Sequence, residues 1–90
     1  MKMVEIFWYE EEKRLQICDK GGQSREFYVL EMLFLSQDSC RDHTGKEWEY
    51  IEYKVRIQCR LEENFRTCRI RHYPQKMKWF ILDRFEEFLY

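Results

Sequence analysis

Residues 48–61, WEYIEYKVRIQCRL, decide how the chain is read. Every second residue puts Ile51, Tyr53, Val55, Ile57, Cys59 and Leu61 on one face. Glu52, Lys54, Arg56, Gln58, Arg60 and Glu62 fall on the other. Alternation at period two, sustained this long, is the mark of a half-buried strand.

Immediately downstream the pattern turns back on itself. Glu63-Asn64 reads as a tight turn, and pairing about it sets Cys59 opposite Cys68, Ile57 opposite Ile70 and Val55 opposite His72. The same register brings Arg60 to Thr67, Gln58 to Arg69, Arg56 to Arg71 and Lys54 to Tyr73. One face of the hairpin is then apolar and the other cationic. Tyr73-Pro74 ends the strand, because the residue before proline is pushed to extended geometry and proline suits the start of a helix. Met77, Ile81, Phe85, Phe88 and Leu89 recur at helical spacing, so residues 75–90 read as an amphipathic helix.

Upstream, residues 3–9 and 14–19 form a hairpin around Glu10–Lys13. Pairing Trp8 with Leu15 and Ile6 with Ile17 gathers Val4 and the other apolar side chains on one side. Gly21-Gly22 supplies a two-residue turn, since glycine tolerates positive φ. Residues 26–36, EFYVLEMLFLS, read as a strand buried on both faces, and the polar run 36–47 as the longest connection. The expected fold is α+β: an antiparallel sheet of about five strands, a meander of two hairpins plus a central strand, packed on one C-terminal helix. It forms a single compact domain, residues 1–90.

That order of strands followed by a helix is similar to the PUR-type and Whirly-type repeats, which bind single-stranded nucleic acid. The resemblance covers topology alone and rests on no family motif.

Composition narrows the function. Aromatic residues make up 18% of the chain, about twice the usual share. With one proline and three glycines there is no linker. No apolar run reaches membrane-spanning length, and MKMVEIFWYEEEK lacks the apolar core of a signal peptide. A cytoplasmic protein with reduced cysteines is therefore expected.

The net charge of −1 conceals segregation: residues 53–78 carry eight Lys/Arg against two Glu. A like-charge cross-strand pair such as Arg56–Arg71 is destabilising, and a sequence that keeps one is expected to place anions nearby. The candidate binding residues are accordingly Lys54, Arg56, Arg60, Arg69, Arg71 and Tyr73. The plainer alternative is a solvated face offset by Glu52, Glu62 or Glu10–Glu12. An acidic protein surface is the first partner to consider, for a small non-enzymatic inhibitor or adaptor of the kind that phages encode. Aromatic residues and arginine dominate such interfaces, and an open strand edge offers a further mode of contact. Single-stranded nucleic acid is the alternative, which needs a basic track beside exposed rings such as Tyr73, Phe65, Phe7 and Tyr9. The protein is expected to be a monomer or an edge-strand homodimer.

Catalysis and metal binding have thinner support. Cys40-x-x-His43 offers two ligands, but no second pair at metal spacing completes a site. Cys40, Asp42 and His43 lie too close in sequence to converge as a triad by default. His72 reads as a hydrogen-bonded rim residue. No cofactor fingerprint is present.

Overall fold

Alternation runs through the chain in six segments, and each becomes a strand. In the computed structural model, which describes residues 3–18, 22, 24–59 and 63–82, these are β1 (Val4–Tyr9), β2 (Arg14–Cys18), β3 (Ser24–Arg41), β4 (Glu47–Cys59), β5 (Phe65–Tyr73) and β6 (Lys78–Ile81). Each pairs antiparallel with its neighbour in sequence, and β6 returns to β1, so the sheet closes as a barrel. Ile6, Leu15, Ile17, Phe27, Val55, Ile57, Cys68, Ile70 and Ile81, drawn from all six strands, fill its interior.

The first hairpin takes the expected register, with Ile6 opposite Ile17 and Trp8 opposite Leu15. Lys13 adopts φ 50° to close its turn. β5 ends at Tyr73 before Pro74, also as expected.

The expected C-terminal helix is not seen: the described residues are all-β, so the α+β assignment is corrected. Met77 takes φ 55° and ends a turn in which its N–H donates to the Pro74 carbonyl. Residues 78–81 then run as a strand, with Trp79 opposite both Ile6 and His72, and Ile81 opposite both Val4 and Ile70. Met77 and Ile81 fit a helix, whereas Trp79 and Ile81 alternate as a strand. Closure decides between the two, because β6 satisfies the open backbone edges of β1 and β5 together. Residues 83–90 of the expected helix lie outside the described residues. With no helix among the described residues and the strands closed as a barrel, the topological resemblance to PUR-type and Whirly-type repeats loses its support.

Two further expectations are corrected. The polar run 36–47 is mostly strand: β3 and β4 pair from Phe27–Cys59 out to Arg41–Glu47, leaving only residues 42–46 as a turn. Asp42 organises that turn, accepting hydrogen bonds from the Thr44 N–H and hydroxyl, the Lys46 N–H and Trp48 Nε1. These bonds hold its carboxyl well below the usual range. Residues 36–41 are almost all polar and mostly exposed, so the sequence carries no apolar alternation there to reveal the strand.

The β4–β5 register also differs. Val55 faces Cys68, Tyr53 faces Ile70 and Ile51 faces His72. The face of every residue is as expected but its partner is not, since a shift by an even number of residues preserves the faces. Cys59 therefore pairs with Phe27 instead of Cys68, and the cysteines are free thiols. No helix among the described residues is long and apolar enough to cross a membrane.

Candidate docking face on β3, β4 and β5

Lys54, Arg56, Arg69 and Arg71 do share one face, on the side of β4 and β5 turned away from Val55 and Ile70. Arg60 lies outside the described residues. The observed register breaks the expected Arg56–Arg71 pair: Arg56 faces Thr67, and Arg71 faces Glu52. The like-charge pair is instead Lys54 with Arg69.

At one end of this face the protein neutralises its own cations. Glu52 is only 8% exposed and takes Arg71 Nε at 2.8 Å and Arg69 Nη1 at 3.5 Å. The Arg71 guanidinium also lies 4.0 Å from the Tyr50 ring centre and donates to the Tyr73 hydroxyl. Burial works against the charge on Arg71, but its bonds to Glu52 and Tyr73 more than offset that and keep its pKa above the usual arginine range.

Tyr73 belongs to this network and is not available to a ligand. It is 3% exposed, edge-on to Phe80, and its hydroxyl contacts Met3 Sδ and Cys40 Sγ. Burial pushes its phenol pKa up. The plainer reading of the basic residues, in which Glu52 offsets their charge, thus holds for Arg69 and Arg71.

At the other end no such ion pair forms among the described residues. Lys54 and Arg56 are exposed there, with Glu31 across the ladder from Arg56. The Arg56 guanidinium lies over the Phe65 ring at 4.6 Å. Between them opens a shallow depression of about 170 Å³, lined by Glu31, Leu33, Lys54, Val55, Arg56 and Thr67. Tyr28, Leu33 and Phe65 are exposed around it. Tyr28 and Phe65 flank Gln58 from either side. Exposed aromatic and apolar side chains beside an arginine are residue types enriched at protein interfaces.

Beside the depression β3 presents an open edge. Its pairing with β2 stops at Tyr28, followed by one last bond from the Val29 N–H to the Lys13 carbonyl. Beyond that, β3 is bonded only to β4 among the described residues. Leu30, Leu33, Phe34 and Leu35 are all exposed, so the expectation of a strand buried on both faces is corrected. Register shifts between Val29 and Glu31 and between Phe34 and Ser36 interrupt this edge. Such bulges are a common guard against indiscriminate strand pairing. Sequence reasoning missed Leu33, Glu31 and Thr67 as parts of a site. The charge of Glu31 inside an otherwise apolar run was the available signal.

The remaining rings gather on the opposite side. His72 stacks on Trp79 at 4.1 Å, Tyr53 stacks on Trp79 at 6.0 Å, Trp8 tilts against Trp79 at 5.7 Å, and Phe34 meets Tyr53 edge-on. His72 is a packing residue, and its burial lowers its pKa. This aromatic row and the free cations occupy different faces of the same strands.

The Cys40–His43 segment does not assemble a catalytic group. The Cys40 thiol lies against Tyr73, while His43 is exposed in the turn. No cluster of three or more His, Cys, Asp or Glu side chains suited to a metal occurs among the described residues. No protein-family model, curated protein or solved structure matches the chain.

Proposed function

We propose that this chain is a non-enzymatic protein-binding module, an inhibitor or adaptor that engages an acidic partner surface through the outer face of β3, β4 and β5. One observation carries the reading: Lys54 and Arg56 form no ion pair among the described residues, whereas Arg69 and Arg71 share Glu52. Exposed Tyr28, Leu33 and Phe65 surround the free pair and supply apolar contact area of the sort that anchors an interface. The docking residues are therefore Lys54 and Arg56, with Arg69 and Arg71 holding the sheet beneath them.

Single-stranded nucleic acid is the weaker reading. It needs a run of stackable rings along a basic track. Tyr28 and Phe65 share the face of Lys54 and Arg56, but Phe65 is already engaged by Arg56, and Trp8, Tyr53, His72 and Trp79 lie on the other face.

Affinity capture from native host extract, with nuclease treatment, compares the wild type with the Lys54→Glu/Arg56→Glu double variant. A specific protein retained by the wild type and lost from the folded variant is the expected result. A partner held equally by both proteins, or lost on nuclease treatment, counts against the reading.

A further inference from the structure

The depression beside Lys54 and Arg56 offers more than positive charge. Lys54 and Arg56 are two residues apart on β4 and so project from the same face, roughly 7 Å apart along the strand. Thr67 stands opposite Arg56 across the β4–β5 ladder and contributes a hydroxyl. Glu31 stands opposite Arg56 on the β3 side, lines the same depression, and makes no ion pair among the described residues. The Arg56 guanidinium lies over the Phe65 ring at 4.6 Å and makes no ion pair among the described residues, so its N–H donors remain to be matched by a ligand. Two cationic donors, one hydroxyl and one carboxylate acceptor thus converge on a space about the size of a single side chain.

That mixture discriminates between anions. A phosphodiester offers only acceptors and would meet the Glu31 carboxylate directly, and inorganic phosphate brings more negative charge against that carboxylate than a single carboxyl group does. A peptide carries a carboxylate on its side chain and N–H donors on its backbone, so it can satisfy Lys54, Arg56 and Glu31 together. Leu33 and Phe65 at the margins favour apolar residues on either side of that carboxylate.

We infer that the depression is an anchoring subsite for the side-chain carboxylate of an acidic residue flanked by apolar residues in a partner polypeptide. This rests on the docking function proposed above and specifies its chemistry. Arg56 and Lys54 hold the carboxylate, Thr67 donates to it, and Glu31 accepts a backbone N–H of the same segment.

The test is a titration of the isotope-labelled whole chain, followed at the backbone amides of Val55, Arg56 and Thr67. The probes are the blocked tripeptides Val-Glu-Val and Val-Gln-Val, inorganic phosphate, and a short oligothymidylate. The glutamate peptide is expected to give saturable shifts with an affinity about tenfold above that of its glutamine analogue. Thr67→Val lowers that affinity several-fold, and Glu31→Gln narrows the preference for peptide over phosphate. Equal affinity for the two peptides, absence of saturable shifts with the glutamate peptide, or tighter binding of phosphate or oligothymidylate each overturns the inference. Loss of the captured partner from the Lys54→Glu/Arg56→Glu protein, together with equal peptide affinities, would leave the docking function standing and remove only the carboxylate subsite.

Discussion

The two halves of β3 share a strand but not an environment. From Ser24 to Tyr28 the strand is held between β2 and β4, and Phe27 is buried in the core. From Leu30 onward only β4 holds it, and Phe34 is 63% exposed. Phe27 is part of the barrel core, whereas Leu30, Leu33, Phe34 and Leu35 are exposed and only Met32 of the distal apolar residues packs against that core. β2 ends after five residues while β4 continues for thirteen, and that mismatch in length creates the open edge. Hydrophobicity alone does not say which leucine or phenylalanine is core.

The sharpest test of this contrast replaces one phenylalanine in each half. Phe27→Ala is expected to destabilise the protein by about 3–5 kcal/mol in urea unfolding, through lost burial and the cavity left behind. Phe34→Ala should cost under about 1 kcal/mol, since the side chain is mostly in water already. Comparable losses would mean that the distal half is packed as tightly as the proximal one.

A somewhat smaller effect separates the neutralised end of the outer face from the free end. Glu52→Gln removes the charge shared by Arg71 and Arg69, leaves Arg71 half-buried without its carboxylate, and is expected to cost about 2–3 kcal/mol in the same unfolding measurement. Lys54→Glu/Arg56→Glu, which breaks no internal ion pair among the described residues, should barely move the unfolding midpoint. If the double variant proves the more damaging, Lys54 and Arg56 are structural and the docking face loses its basis.

The tip of the projecting hairpin is more local still. Asp42→Ala removes the acceptor for four donors and is expected to loosen residues 42–46, seen as faster amide exchange at Thr44 and Lys46 while core amides stay protected. Because the Asp42 carboxyl titrates below its unfolded value, its stabilisation is intact above about pH 4 and fades only as the solution becomes more acid than that. Hairpin exchange that accelerated between pH 7 and pH 5 would contradict this anchoring role.

The smallest effect lies in the aromatic row, where His72 packs on Trp79. Burial depresses the His72 pKa below 6.5, so the unfolded chain takes up the proton first. Stability is therefore fully present above pH 6.5 and declines as the pH falls from there through the folded-state value. His72→Phe should flatten that part of the stability profile; an unchanged slope would assign the acid sensitivity elsewhere.

Alternation read from residues alone placed Val55, Ile57 and Ile70 inside and Lys54, Arg56, Arg69 and Arg71 outside, and it found the register of β1 with β2. It misjudged the partners on β4 and β5, because a repeat of two residues is blind to sliding by an even number. It also took residues 78–81 for a helix, since Ile81 fits the helical spacing of Met77 and Phe85 as well as the strand spacing of Trp79, and the choice depends on β1 lying close enough to pair.

What the amino-acid order settled by itself was local: which side chains share a face, where Pro74 stops β5, and how the first turn is closed. Tertiary structure decided the long-range matters: closure of β6 on β1, exposure of Leu33 and Phe34, and the split between cations held by Glu52 and cations left free. Facing is determined within a few residues by backbone geometry, whereas neutralisation and burial depend on which distant strand arrives alongside. That is why the cationic face was legible in the sequence and the division within it was not.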